Sequence, residues 1–241
     1  MNFYTTAIRR AYVHPLSNDS YGLCAGLEYF PSKKRGALGK ALRLLIQGIW
    51  FFSLKMRDKF YKNALQWLVD ARLVHKIYRS TAPGLPVAAY DDLSAFKIYL
   101  VDVGLLRRLA QLAPTAFGEG NRLFTEFKGA LTENFVLQTL ITQFEVAPRY
   151  WSRNNPPYEV DFLIQRENDI FPVEVKTEVN TTSKSLKKFK ELFPDQVKLR
   201  VRFSLDNLKL DDDVLNIPLF MADEADRLIG LTLEQNTVNS L

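Results

Sequence analysis

Residues 158–176 constrain the fold more than any other stretch of this chain. Tyr158-Glu-Val-Asp-Phe-Leu-Ile-Gln165 and Ile170-Phe-Pro-Val-Glu-Val-Lys176 read as two short strands, and Glu167-Asn168-Asp169 supplies turn chemistry between them. With Asn168-Asp169 as a two-residue hairpin loop, Asp161 faces Lys176 and Leu163 faces Glu174. A side-chain period of two then sets Asp161, Glu174 and Lys176 on one face. Two carboxylates and an ammonium on one patch can bind a divalent metal and activate a water beside it. A one-residue slip of register would separate them. The same alternation is what any half-buried antiparallel strand shows.

A third carboxylate lies upstream. Phe124 to Phe144 is long enough for a helix, and Ala130, Leu137, Leu140, Ile141 and Phe144 share one stripe with Glu133. A carboxylate on an apolar stripe is costly to bury without a partner. Two accounts follow: Glu133 belongs to the same site as Asp161 and Glu174, or it lies at the stripe's edge, reaching solvent or an arginine.

A helical Glu, an Asp on a strand and a Glu-x-Lys on the next strand resemble the PD-(D/E)XK nuclease superfamily. A longer ordered set is more specific. Phe96-Lys-Ile-Tyr-Leu-Val-Asp-Val-Gly-Leu-Leu106, Gly129-Ala-Leu-Thr-Glu-Asn-Phe-Val136, Tyr150-Trp-Ser152, Glu159-Val-Asp-Phe162, Val173-Glu-Val-Lys176, Lys184-Ser-Leu186 and Leu215-Asn-Ile-Pro-Leu219 follow one another. Together they resemble the C-terminal, uncharacterised domain of a bacterial and archaeal family of AAA-type ATPases, over about residues 57–220. The resemblance implies an α/β fold: a restriction-endonuclease-like mixed sheet flanked by helices, preceded by a partial winged-helix segment. It implies Asp161 and Glu174 as ligands of Mg²⁺ or Mn²⁺, helped by the Val175 carbonyl. Glu133 would orient a water on the metal. Lys176 would position or deprotonate the nucleophile and steady the phosphorane charge. Val160 stands where the superfamily name has Pro, which is not a ligand.

The chain has 241 residues, a formal charge of +5 and one cysteine, Cys24. A lone cysteine excludes an internal disulfide and fits a reducing cytosol, so the expected location is cytoplasmic. The first residues lack the apolar stretch of a signal peptide, and Leu42 to Leu54 is too short to span a bilayer. That segment reads as a buried or partner-facing helix, and no membrane association is expected. Charge is unevenly spread: residues 33–79 carry a net +10, which favours a polyanionic partner, and residues 205–235 a net −6.

Four zones follow: an unassigned basic region (1–55), a winged-helix-like segment (56–102), the nuclease-like domain (103–222) and a C-terminal tail (223–241). In the second, a helix over 57–70 points Phe60, Ala64, Leu65 and Leu68 inward, and strands over 73–79 and 96–101 follow around Pro83-Gly-Leu-Pro86. Arg57, Lys59 and Lys62 fall where a recognition helix contacts phosphates; packing between domains is the other account. In the third, strands are expected over 148–153 and 197–203 and a helix over 184–193. Lys198, Arg200 and Arg202 would share a face that is either solvated or turned to phosphate.

Full-length members of the resembling family carry an ATPase core, and its phosphate-binding loop is missing here. Gly36-Ala-Leu-Gly-Lys-Ala41 does not fit G-x-x-x-x-G-K-[ST], so ATP hydrolysis is not expected and the chain reads as a truncated or split form. The expected function is a metal-dependent nuclease-like domain acting on DNA. The alternatives are a non-catalytic module that binds DNA or an ATPase-bearing partner, and a remnant without activity.

Overall fold

The computed structural model describes residues 59–110, 122–177 and 183–239. Residues 1–55 and Arg57, with Cys24 and the Leu42–Leu54 segment, lie outside the described residues.

The described residues begin with α1 (Lys59–Asp70), which buries Leu65 and Leu68. The hairpin β1 (Val74–Ser80) and β2 (Asp91–Leu100) follows, then the short helix α2 (Val103–Leu109) and the long helix α3 (Arg122–Gln143). Three strands come next: β3 (Arg149–Asn154), β4 (Pro157–Arg166) and β5 (Asp169–Val175). Helix α4 (Lys184–Leu192) leads to β6 (Arg200–Ser204), β7 (Lys209–Asp211), β8 (Val214–Pro218) and α5 (Ala225–Asn239). The strands form one eight-stranded mixed sheet in the order β2-β1-β3-β4-β5-β6-β8-β7. The fold is therefore an α/β sheet flanked by helices.

The helix-and-hairpin expected over 57–101 is present from Lys59, but its hairpin does not stand apart. It extends the sheet, joining β3 through the parallel pair Arg79–Tyr150. One ion pair braces that seam and a second ties β1 to β2 within the hairpin. Arg149 grips Asp91 with its fork, at 2.6 and 2.9 Å, and Arg79 meets Asp92 at 2.5 Å. Arg149 and Asp91 are both largely buried, so the pair escapes most solvent screening. Arg149→Lys keeps the charge and loses the fork. It is expected to lower stability by about 1–2 kcal/mol in urea denaturation.

Helices cover both sides of the sheet. On one, Val136, Leu137 and Leu140 of α3 and Leu228 and Ile229 of α5 join a cluster with Phe162, Ile164, Phe171, Val173, Val201 and Phe203. On the other, Leu186 and Phe189 of α4 pack with Trp151, Val160, Leu163 and Ile170. The rings of Trp151 and Phe189 meet edge to face at 5.0 Å. The segment read as a tail is thus largely helical, because Ala225, Leu228, Ile229 and Thr232 form a buried stripe at helical spacing.

The β4–β5 hairpin closes one residue earlier than the sequence reading placed it. Arg166 pairs with Asp169, so the loop is Glu167-Asn168, and Leu163 faces Pro172 rather than Glu174. Glu167 takes the left-handed φ of 52° that such tight loops need. Asp169 joins the strand, where Lys198 holds it at 2.8 Å. The slide amounts to two residues along the partner strand, so side-chain parity survives. Continuing the ladder sets Asp161 against Glu174 instead of Lys176.

The cations expected to alternate along the later strand have protein partners. Arg200 is paired with Asp213, and Arg202 is buried with its Nε donating to Asn216 Oδ1 at 2.9 Å. At the far edge β7 is exposed throughout, and its Lys209 pairs with Asp206 at 3.2 Å and Asp211 at 3.1 Å.

Candidate functional site

Asp161 is the centre of the site because the strand alternation slips there. Arg149 pairs with Leu163 and Trp151 with Val160, so β4 spends one more residue than β3 over this stretch. Val160 and Leu163 consequently point into the same cluster, while Phe162 and Ile164 point into the other. Such a bulge re-aims the side chain it carries. The Oδ2 of Asp161 accepts the Val175 N–H at 2.7 Å, which ties it across to β5 beside Glu174.

Glu174 is buried, at 5 % exposure. It alternates with Val173 and Val175, which face the α3 side, so it lies on the opposite face with Lys176. Its Oε1 is ion-paired with the Lys176 ammonium. Its Oε2 is buried and has no hydrogen-bond partner among the described residues. Lys176 keeps its backbone in register by donating its N–H to the Phe203 carbonyl at 2.8 Å.

Glu133 comes from α3, half-buried among the apolar residues that sequence periodicity grouped with it. Its Oε2 accepts the Tyr99 hydroxyl at 3.2 Å. The neighbouring Asn134 fixes this arrangement. It accepts the Leu100 N–H at 2.8 Å and donates to the Leu100 carbonyl at 3.0 Å. Adjacent residues on α3 therefore hold adjacent residues on β2. Further along the helix, Lys128 donates to the Thr177 carbonyl at 2.7 Å, just past Lys176.

Three residues of the site carried no role in the sequence reading: Lys97, Tyr99 and Glu159. The Lys97 ammonium lies 2.5 Å from Glu159 Oε1 and 5.1 Å from the Tyr150 ring centroid. Their signal was positional, since Lys97 and Tyr99 alternate on one strand and Glu159 precedes Asp161 by two residues. What hid them was that β2 and β4 are not sheet neighbours, so their meeting is tertiary.

The electrostatics follow from this crowding. Burial, and then the charge of Glu133, push the Asp161 carboxyl up to about 8; Glu174 adds to the rise, while Lys97 and the Val175 N–H oppose it. Burial works against the charge on Lys97. Tyr99, Glu133, Glu159 and Asp161 outweigh it and hold the ammonium well above its usual range. Burial likewise raises the Tyr99 phenol, so it stays neutral and donates to Glu133.

Asp161, Glu174 and Lys176 are thus brought together on β4 and β5, and Glu133 reaches Asp161 electrostatically from α3. Lys59 and Lys62 lie on α1, but their side chains, like Arg57, fall outside what is described. Among the described residues no three His, Cys, Asp or Glu side chains form a group that could hold a metal ion. A Mg²⁺ site needs less, because that ion keeps several waters and takes one or two carboxylates. The partnerless Glu174 Oε2 and the crowded Asp161 carboxyl fit it as hard oxygen donors.

Two segments of the chain match family models. Residues 51–116 match a Domain of unknown function (DUF8612). Residues 128–220 match a Domain of unknown function (DUF4143), a domain found in AAA-ATPase-associated proteins. No curated protein and no solved structure matches the chain. No helix among the described residues is long and apolar enough to cross a membrane. The second match contains Glu133, Glu159, Asp161, Glu174 and Lys176, and the first contains Lys97 and Tyr99.

Proposed function

We propose that the chain is a metal-dependent nuclease-like protein acting on DNA, with a restriction-endonuclease-like arrangement of β3 to β6. The observation that carries this reading is the buried, partnerless Glu174 Oε2 beside an Asp161 carboxyl crowded by other carboxylates. Burying acids together is expensive unless a cation offsets them. Asp161 and Glu174 would hold Mg²⁺ or Mn²⁺. The ion would acidify a water and offset charge on a phosphodiester. Glu133, steadied by Tyr99, orients the attacking water. Lys176, held against Glu174, offers its ammonium to the phosphoryl oxygens as the water oxygen bonds to phosphorus and the ester oxygen leaves.

The test is cleavage of supercoiled and of single-stranded DNA with Mg²⁺ or Mn²⁺, comparing the parent protein with Glu174→Gln. Metal-dependent cleavage that falls at least about a hundredfold in the variant supports the proposal. A folded parent that cleaves neither substrate, or a variant that cleaves as well, overturns it. DNA binding that is salt-sensitive and indifferent to metal would instead favour the non-catalytic module.

A further inference from the structure

The β1–β2 hairpin pairs its charged side chains with opposite charges, with one exception. Arg79 meets Asp92, Asp91 is gripped by Arg149, and Lys97 is held by Glu159. Lys76 has no carboxylate partner among the described residues. Two rings hold it instead: its ammonium lies 4.6 Å from the centroid of Tyr78 and 4.2 Å from that of Phe96. The rings stand opposite each other on the two strands and meet edge to face at 6.3 Å. A carboxylate would fix an ammonium and cancel its charge; an aromatic face fixes it and leaves the charge whole. Lys76 is half-buried and alternates with Ile77, which packs toward α3, so it projects from the same side of the sheet as Glu174. Arg72, at the turn into β1, is exposed and also lacks an acid partner among the described residues. At the opposite border of the sheet, β8 and β7 belong to the stretch 205–235, with its net −6.

We propose that this hairpin is a contact surface for the phosphate backbone of duplex DNA, with Lys76 as its fixed cation. The inference rests on the reading of the chain as a protein that meets DNA, and not on its metal site. A free lysine loses rotamer freedom when it grips a phosphate. Lys76 has lost much of that freedom already, because Tyr78 and Phe96 hold its ammonium in place. The rings also decide what kind of contact is made. The ring faces that meet the ammonium are closed to a base, so the hairpin offers no stacking platform there. The contact is therefore to phosphate and independent of sequence. Charge across the molecule fits the same partner. The stretch 33–79 that runs into β1 is net +10, so a polyanion is drawn to the hairpin's end of the sheet and away from the other.

The experiment is fluorescence anisotropy of a short labelled duplex of mixed sequence, in EDTA, over a range of salt concentrations. The proteins are the parent, Lys76→Met, Lys76→Arg and Lys209→Met, each checked by its thermal melt. Lys76→Met keeps an apolar stem over the rings and removes the charge, and Lys76→Gln serves where it does not fold. Lys76→Arg keeps the charge, and Lys209→Met removes a charge at the far border of the sheet. The expected result is affinity about tenfold weaker in Lys76→Met at about 50 mM salt, with the slope of log affinity against log salt shallower by about 1. Lys76→Arg and Lys209→Met should bind as the parent does, and scrambling the duplex sequence should change nothing. Unchanged affinity and slope in Lys76→Met, or an equal loss in Lys209→Met, overturns the hairpin as the contact surface. A folded parent that binds a single strand more tightly overturns the duplex assignment. One that binds no duplex overturns the surface together with the reading that the chain meets DNA. Cleavage is not read in this assay, so the metal-dependent site stands or falls on the Glu174→Gln comparison alone.

Discussion

Asp161→Asn is expected to melt several degrees above the parent protein at about pH 8 in EDTA while losing metal-dependent cleavage. In the metal-free protein the Asp161 carboxyl titrates at about 8, raised by burial and then by Glu133, with Glu174 adding and Lys97 opposing. In the unfolded chain an aspartate titrates near ~3.9. Between those values the folded protein keeps a proton that the unfolded chain has released. Stability from this residue therefore falls as pH rises from about 4 to about 8, and is level above. Asparagine does not titrate, and its carbonyl can still accept the Val175 N–H, so its advantage grows through the same window. One pKa unit corresponds to about 1.4 kcal/mol, and half of the displacement is enough for about 2–3 kcal/mol. Scanning calorimetry at about pH 5 and about pH 8 checks the claim. A difference between the two proteins that does not widen with pH refutes it. Adding Mg²⁺ should stabilise the parent and leave the variant where it was, since the ion favours the ionised carboxylate.

Asn134→Ala is expected to destabilise the protein by about 2–4 kcal/mol, measured by urea denaturation. The side chain is buried and makes two hydrogen bonds to one residue, taking the place of a strand partner for Leu100. Alanine leaves the buried N–H and carbonyl of Leu100 without these partners, and each such group costs about 1–3 kcal/mol. The functional consequence is larger than the residue's distance from the chemistry suggests. Asn134 and Leu100 stand next to Glu133 and Tyr99, so freeing one pair loosens the other. Asn134→Asp, which keeps the acceptor and loses the donor, should fall between the parent and Asn134→Ala. A destabilisation below about 1 kcal/mol in Asn134→Ala would show that this clamp is not what joins α3 to the hairpin.

Local pattern carried the β4 and β5 strands, the apolar stripe of α3 and the parity of Glu174 and Lys176, because each depends on a period within a few residues. The loop position did not follow from pattern. Asn168-Asp169 looked the better turn pair, but Asp169 pairs with Arg166 in the ladder and its carboxylate meets Lys198, distant in sequence. The bulge at Asp161 was equally hidden, since an extra residue shows itself only against the partner strand. It sets Asp161 where the charges of both Glu133 and Glu174 raise its carboxyl. Lys97 joined the site for a reason no spacing records: the hairpin that carries it is part of the same sheet. Arg202 reversed the expectation for its strand, because Asn216 offers an acceptor in the interior.

The β7 strand bears on how this molecule meets its own copies. Among the described residues the eight-stranded sheet has β2 and β7 at its two borders, and a border strand exposes backbone groups able to pair with another chain. At the β7 border the template is three residues long and carries Lys209 and Asp211. Leu205, Leu208 and Leu210 are exposed beside it and would favour self-association if the strand were longer. Brevity and paired charge act together there, so the end of the sheet rich in exposed leucine is also the end least able to seed edge-to-edge aggregation.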